Sequence, residues 1–305
     1  MEYGEVGHYA LGIYTTTEEA SKIIITPEGY VFYEGEESCY LTSYMGEDKD
    51  VVLPDSCNGR DYIINKKAFY IRDEIRSITL PNGVKGIEDD AFGGCFGLIE
   101  VYNLSQLDIK KGKMDNGKVG YYALGIYSSA DEPSKLHLTS DGYEFYDNGE
   151  ECYLVGYKGS IKNLVLPESY AGKKYAIGDF AFHFNYDLKS IIISDGVTSI
   201  GDYAFDGCYN LSNVTIGNNV ASIGKSAFWS CNIKSIVIPQ SVVSIGRNAF
   251  YNCDELTSVT FEKTDGWICS SYRFTVPISF STLSSYENAA RLLVGEYCEY
   301  EWKRQ

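Results

Sequence analysis

Residues 191–208 read Ile-Ile-Ile-Ser-Asp-Gly-Val-Thr-Ser-Ile-Gly-Asp-Tyr-Ala-Phe-Asp-Gly-Cys, and variants of this phrase recur along the chain at intervals of 22–23 residues. Its last part, Ala-Phe-x-x-Cys, returns with cysteines at Cys95, Cys231 and Cys253. The first and third isoleucines alternate with a residue between them, as on a short strand with one buried face. A fixed period in the twenties predicts a solenoid of stacked turns.

Each repeat carries a second apolar stretch. Val197 and Ile200 line it, and Gly201 follows at a bend where the backbone must approach the neighbouring turn. The Phe fills the space between layers, and the Cys thiol lies at the inner corner as a weak hydrogen-bond donor. No single unit buries these faces alone. The predicted fold is mainly β, a leucine-rich-repeat solenoid whose short parallel strands form turns over residues 51–104 and 164–262.

A longer repeat, with a constant offset of 113 residues, relates the two halves of the chain: Tyr9–Tyr14 recurs as Tyr122–Tyr127. Each half opens with a Tyr-rich segment. In the second half this segment, residues 119–165, predicts strands and a β-hairpin, because Asp147-Asn148-Gly149 is a turn sequence between two of them.

The repeats predict four parts, which are a first module of a β-hairpin segment and two solenoid turns (1–104), a connecting segment (105–118), a second module of a β-hairpin segment and four turns (119–262) and a C-terminal cap (263–305). In the cap, Ser284 and Glu287 have the spacing of a helix capping box. Ala289 and Leu292 continue it as an apolar face, and Lys303 with Arg304 suit the C-terminus of a helix. We therefore predict a C-terminal capping helix.

The charge of the chain excludes two classes of partner. Asp and Glu number 42 against 26 Lys and Arg, so the formal net charge is −16. A nucleic-acid-binding protein needs a cationic surface, and an anionic membrane would repel this chain. The longest apolar runs are shorter than the roughly 18 residues of a membrane-spanning helix. We expect neither nucleic-acid binding nor membrane insertion.

The nine cysteines follow the repeat rather than a disulfide or metal pattern. Cys95, Cys208, Cys231 and Cys253 hold the same place in the phrase, and neither a Cys-x-x-Cys pair nor a Cys/His set at zinc spacing is present. We expect mostly reduced, buried thiols, with pairing of Cys269 and Cys298 left open.

Catalytic chemistry has no clear set of residues in the sequence. Ile223-Gly-Lys-Ser226 resembles part of a phosphate loop, but Asn219 stands where the first glycine is required. The three histidines are scattered, and no nucleophile–base pair or metal set is visible. We predict a chain that is not an enzyme, with no catalytic residue, no cofactor and no metal.

The units Ile191–Cys208 and Ile236–Cys253 resemble those of the BspA-like leucine-rich-repeat family of bacterial surface proteins. The ending Tyr297-Cys-Glu-Tyr-Glu-Trp302 resembles the common ending of that family, and the resemblance covers nearly the whole chain. It implies a secreted or cell-surface protein that binds host proteins, matrix or other cells. It brings no catalytic motif to transfer.

Two functions are compatible with the sequence. The first is a protein-interaction or adhesion scaffold, which would present the outward residues of the concave strand face to a host or matrix protein or another cell-surface protein. Those residues are Lys189, Ser190, Ile192, Ser212, Asn213, Thr215, Lys234, Ser235, Val237, Ser258 and Thr260. The alternative is a carbohydrate-binding module that binds a glycan through exposed Tyr and Trp of residues 119–165 or of the cap.

The start of the chain carries a further expectation. Met1 aligns with Met114, which lies within the connecting segment rather than at the beginning of a unit. We therefore expect the chain to be a fragment of a longer array, with the export signal implied by the resemblance in its missing part. The competing interpretation is a complete cytosolic protein whose first segment, Met1–Tyr14, caps the solenoid by itself.

Overall fold

The computed structural model describes residues 22–271 and 275–305. The chain forms two compact units, a first unit at Met1–Ser134 and a second unit at Lys135–Gln305. Each is a stack of short turns with strands in separate sheets. The expected cap at Met1–Tyr14 lies outside the described residues.

The strands of the first unit form a five-stranded and a four-stranded sheet. In chain order they are β1 (Ile23–Ile25), β2 (Tyr30–Glu34), β3 (Cys39–Tyr44), β4 (Asp50–Val52), β5 (Tyr62–Ile64), β6 (Ser77–Leu80), β7 (Val84–Ile87), β8 (Glu100–Asn103) and β9 (Gly125–Tyr127), with a 3₁₀ turn at Asn116–Lys118 before β9. Strands β1, β2 and β3 are antiparallel, and β3, β5 and β7 continue the same sheet in parallel. Strands β4, β6, β8 and β9 form the second, parallel sheet.

The second unit repeats this plan and adds a cap. Its strands are β10 (Leu136–Leu138), β11 (Tyr143–Asp147), β12 (Cys152–Tyr157), β13 (Asn163–Val165), β14 (Tyr175–Ile177), β15 (Ser190–Ile192), β16 (Val197–Ile200), β17 (Asn213–Thr215), β18 (Ser222–Ile223), β19 (Ser235–Ile238), β20 (Ser244–Ile245), β21 (Ser258–Phe261), β22 (Trp267–Ser270), β23 (Thr275–Pro277) and β24 (Glu301–Arg304). Its helices are α1 (Phe280–Leu283) and α2 (Tyr286–Arg291), followed by a π-helical turn at Leu292–Glu296.

Ten of these strands form one sheet in the order β10-β11-β12-β14-β16-β18-β20-β24-β22-β23. The others form a β13-β15-β17 ladder and a β19-β21 ladder, both parallel. Leu164, Ile191 and Val214 lie opposite one another across the first ladder, and all three are buried. The predicted parallel solenoid turns over residues 51–104 and 164–262 are confirmed, as are the predicted strands of the Tyr-rich segment at β10, β11 and β12.

The repeated phenylalanines stack along the inside of each unit. The second unit stacks Phe182, Phe205, Phe228 and Phe250, with successive ring centroids 5.0, 5.1 and 5.3 Å apart. Backbone hydrogen bonds hold the same corner together, as from the Phe205 amide to the Ala227 carbonyl at 2.7 Å. Because both rings and backbone are tied to the next turn, each layer is fixed in register with its neighbours.

The repeated cysteines lie at the buried corner beside these rings. The Cys231 thiol donates to the Phe205 carbonyl oxygen at 3.1 Å, one turn earlier, and Cys95, Cys208 and Cys253 make the equivalent contact with their own preceding turns. Burial raises the pKa of the Cys208 and Cys253 thiols to about 12. The predicted free, buried corner thiols are confirmed, and Cys269 and Cys298 are also unpaired.

The repeated glycines at the bend allow the turns to approach closely. A Cβ added to Gly224 would lie 2.5 Å from the Gly201 carbonyl atoms of the preceding turn. Several non-glycine residues in the turns also have positive φ, and among them Phe184 and Tyr203 have φ angles of 52° and 56°. Left-handed backbone costs an L-residue about 1–2 kcal/mol, which the packing of the neighbouring turns offsets.

The C-terminal cap differs in detail from its prediction. Ser285, one residue later than expected, is the N-cap of helix α2 and accepts a hydrogen bond from the Asn288 amide. Ala289 and Leu292 are buried as predicted. The expectation that Lys303 and Arg304 end a helix is wrong, because they lie in β24, which pairs antiparallel with β20 and β22.

The boundary between the compact units lies after Ser134, beyond the connecting segment expected at residues 105–118. Val119 and Ala123 are buried in the core of the first unit, and β9 continues the parallel ladder of β8. The start of the expected second module therefore completes the first unit, because the backbone groups along the open edge of β8 need hydrogen-bonding partners.

Thiol modification tests this packing. Eight of the nine cysteines are buried, and only Cys152 is half-exposed. The native protein should react with a thiol reagent at Cys152 alone, whereas denaturation without a reductant should expose nine reactive thiols. Mass mapping of the modified cysteines measures this; rapid native modification of Cys208 or Cys231 would contradict the buried corner.

Candidate partner-binding face

The eleven residues predicted to contact a partner lie together on the second unit. Eight of them are outward positions of strands and three directly precede a strand. They are Ser190 and Ile192 of β15, Asn213 and Thr215 of β17, Ser235 and Val237 of β19, Ser258 and Thr260 of β21, and Lys189, Ser212 and Lys234 before three of these strands. All are exposed or half-buried, while the residues between them face the core. We call this surface, with the outward residues of β13, the strand face.

The alternation of side chains along each strand produces this surface. In β15, Ile191 is buried while Ile192 is exposed. In β19, Ile236 and Ile238 are buried while Val237 is exposed. Since successive strand residues point to opposite sides, the same repeat that fills the core also presents one row of side chains per position to solvent.

The ladder of the strand face has one interruption. Strands β17 and β19 are in contact, but β19 opens a new ladder with β21. The intervening turn is one residue shorter: Ile236 follows Cys231 by five residues, whereas Val214 follows Cys208 by six. This shorter corner coincides with the break in the ladder.

The strand face consists of three parallel rows. One row holds Lys162, Lys189, Ser212, Lys234 and Thr257, the second holds Asn163, Ser190, Asn213, Ser235 and Ser258, and the third holds Val165, Ile192, Thr215, Val237 and Thr260. The polar row is partly linked, since the Ser190 hydroxyl donates to Asn163 Oδ1 at 2.9 Å. In the third row Val165 and Ile192 are 58% and 47% exposed.

Lys162, Asn163 and Val165 belong to this surface but were missed by the sequence prediction. The signal was present, because Lys162-Asn-Leu-Val165 repeats the Lys189-Ser-Ile-Ile192 pattern. Parallel pairing of β13 with β15 places both segments side by side.

The corresponding sheet of the first unit has a different chemistry. Glu100 of β8 is buried and accepts hydrogen bonds from the Ser134 hydroxyl at 2.6 Å and the Tyr127 hydroxyl at 3.1 Å. Asp50 of β4 accepts one from the Ser77 hydroxyl at 2.7 Å. Carboxylates and covering side chains therefore occupy positions that are open and free of carboxylates in the second unit.

The aromatic residues named for the carbohydrate-binding alternative are mostly withdrawn from solvent. Tyr146 is buried, and the half-buried Tyr143 donates its hydroxyl to the Val165 carbonyl at 2.6 Å. The cap residues Trp267 and Trp302 are buried. Exposed rings occur elsewhere: Tyr186 and Tyr209 are 53% and 48% exposed and stack on each other with centroids 5.7 Å apart, which covers one face of each ring.

Metal chemistry has little support among the described residues. Within residues 22–271 and 275–305, His, Cys, Asp and Glu form no group of three or more that could hold a metal ion. A shallow cleft of about 360 Å³ on the other sheet is lined by Asp202, Lys225, Arg247 and Glu301, among others. No helix in residues 22–271 and 275–305 has the length and apolar character needed to cross a membrane.

A model of the BspA type leucine rich repeat region matches the chain in six copies, over residues 49–112 and 175–286. These segments make up more than half of the chain, and they contain most of the solenoid turns described above. The chain belongs to the BspA-type leucine-rich-repeat family.

Several solved structures are similar to this chain. A leucine rich cell surface protein from Faecalibacterium prausnitzii is 21% identical, with 80% of this chain and 55% of that protein covered and a TM-score of 0.31. A leucine rich repeat protein from T. pallidum is 27% identical, with 42% and 58% covered and a TM-score of 0.35. The pneumococcal vaccine antigen PcpA is 16% identical, with 80% and 82% covered and a TM-score of 0.40.

The chain spans less than two thirds of the length of the first two of these proteins. No curated protein matches it.

Proposed function

We propose that this chain is a non-catalytic scaffold that binds a protein partner through the strand face. The single observation that carries the proposal is the composition of that surface. Its five strand segments, residues 162–165, 189–192, 212–215, 234–237 and 257–260, contain three lysines and no Asp or Glu, in a chain with 42 acidic residues. A surface that combines aliphatic, hydroxyl and cationic side chains suits contact with another protein.

We infer the location and the class of partner from the family resemblance. The resemblance implies a cell-surface or secreted protein, which would bring the strand face to host proteins, matrix proteins or other surface proteins. Protein is favoured over glycan because the exposed side chains of the strand face are Ser, Thr, Asn, Lys and aliphatic residues, whereas sugar platforms rely on open aromatic faces.

A matched pair of substitutions tests this proposal. Val237 on the strand face is 47% exposed, and Val243, before β20 of the ten-stranded sheet, is 42% exposed. Val237→Glu should abolish capture of the proteins that the unmodified chain retains from a host matrix extract, because it places a carboxylate in the aliphatic row of the surface. Val243→Glu should retain them.

Quantitative mass spectrometry of the captured proteins, with circular dichroism to show that both variants fold, measures the difference. Equal capture by the two variants would refute the strand face as the binding surface. A glycan array run alongside would show selective sugar binding, sensitive to neither variant, if the carbohydrate alternative were correct.

A further inference from the structure

The first row of the strand face, here called the lysine row, contains three lysines, and ion pairs within the described residues do not neutralise all of them. Lys162 forms an ion pair with Asp187 at 2.9 Å. In contrast, Lys189 and Lys234 are exposed and have no ion-pair partner within the described residues 22–271 and 275–305. Carboxylates border the row at Asp187 and Glu255, each two residues before a row position. The two lysines are therefore available to an anionic group of a partner.

An aliphatic row runs beside the lysines. Val165, Ile192 and Val237 are about half exposed or more, and Thr215 and Thr260 continue the row with β-branched side chains. On each strand the residue of the aliphatic row follows the residue of the lysine row by three positions, as Ile192 follows Lys189. At about 3.3 Å per residue the two rows are about 10 Å apart. A single partner segment is wide enough to contact both rows.

The dimensions also define the length of the partner segment. Five strands at about 4.8 Å spacing extend over about 19 Å, which is the length of about six extended residues. A segment lying across the strands would direct some side chains towards the lysines and others towards the aliphatic row.

We infer that the partner contributes an extended acidic peptide segment, with Asp or Glu directed to Lys189 and Lys234 and aliphatic side chains directed to Ile192 and Val237. The inference rests on the proposed function and specifies its partner class. A polyanionic polysaccharide would satisfy the lysines but would leave the aliphatic row without apolar contact, so the peptide is favoured.

Peptide display tests the inference directly, because it requires no purified partner. A random 12-residue library is selected on the unmodified chain and on a Lys189→Glu/Lys234→Glu variant. Peptides from the unmodified chain should be enriched in Asp and Glu together with Val, Ile or Leu. Peptides from the charge-reversed variant should lose the acidic enrichment.

A synthetic peptide from the first selection then gives affinities by fluorescence anisotropy. Charge reversal of both lysines should weaken its binding by about tenfold or more, and the weakening should shrink as salt screens the charges. Val237→Glu should also weaken binding, and Val243→Glu should leave it unchanged. Heparin serves as the polyanion probe and should bind no more tightly than the peptide with its acids replaced by Gln and Asn.

Three results would overturn the inference: an absence of selected peptides, an acidic enrichment that persists on the charge-reversed variant, or heparin binding that depends on the lysines and exceeds that of the acidic peptide. These results are separate from failure of the proposed function. If Val237→Glu still abolishes capture from the extract while selected peptides show no acidic preference, the scaffold function stands and the acidic partner is refuted. If both variants capture equally, the proposed function fails.

Discussion

Phe228→Ala should lower the free energy of unfolding by about 3–5 kcal/mol, the usual cost of removing a fully buried aromatic ring. The Phe228 ring stacks between Phe205 and Phe250, with centroids 5.1 and 5.3 Å away. Its amide also donates to the Ala249 carbonyl at 2.8 Å. Backbone hydrogen bonds fix the spacing between neighbouring turns. The turns therefore cannot move together to close the cavity that the substitution leaves. Urea unfolding followed by circular dichroism measures the loss.

Two controls define the result. Phe228→Leu fills much of the same space and should cost less than Phe228→Ala. Val237→Ala shortens an apolar side chain at an exposed position and should change the free energy of unfolding by no more than about 0.5 kcal/mol. If Phe228→Ala were as mild as Val237→Ala, the ring would not be the interlayer contact described above.

Cys231→Asp should be at least as destabilising, with a cost of about 3–5 kcal/mol at neutral pH for an uncompensated buried charge. The Cys231 side chain is fully buried, and its thiol donates to the Phe205 carbonyl oxygen. An ionised carboxylate has no hydrogen to donate and would place negative charge against that oxygen.

The pH dependence of this variant follows from the same burial. Burial raises the pKa of a carboxyl group above its unfolded value, so the folded variant binds a proton more tightly than the unfolded one. The destabilisation should therefore be largest at neutral pH and should diminish as pH falls towards the range in which the carboxyl is protonated. Thermal unfolding at pH 7 and pH 4.5, each relative to the unmodified chain, measures the change.

Cys231→Ser and Asn232→Asp are the matched controls. The serine hydroxyl still donates to the carbonyl and should cost less than the aspartate. Asn232 is exposed, so Asn232→Asp adds the same charge one residue away and should be nearly neutral. Equal effects of Cys231→Asp and Asn232→Asp would refute the buried corner.

Much of the candidate surface could be predicted from the repeat. Once Ile191 is assigned to the core, Ser190 and Ile192 must face outward. In the next turn Val214 is the buried residue, and its two neighbours face outward. The uncompensated positive charge of the surface could not be predicted from the sequence, because it depends on which lysines form ion pairs in the folded chain. Asp187 is bonded to Lys162, which is a contact between turns that periodicity does not specify.

The residue types at two left-handed positions do not by themselves indicate positive φ. Phe184 and Tyr203 both occupy positive φ, a region that favours glycine, and Gly207 stands at the position equivalent to Phe184 one turn later. Neighbouring turns impose the backbone conformation through hydrogen bonds such as that from the Tyr203 amide to the Lys225 carbonyl at 2.8 Å. Local propensity is overridden because the stack fixes every layer to the next.

The sequence by itself determined which side of each turn is buried, because alternation on strands and the 22–23-residue period leave one arrangement that covers the Ile, Phe and Cys positions. Only the tertiary structure decided what ends each stack. The open edge of a ladder has unpaired backbone N–H and C=O groups. Any extended segment that lies beside this edge can form hydrogen bonds with them. In the first unit that segment contains β9, and in the second it is β24 with its buried Trp302. Neither segment carries the repeat phrase, since edge pairing requires backbone hydrogen bonds rather than a particular side-chain pattern.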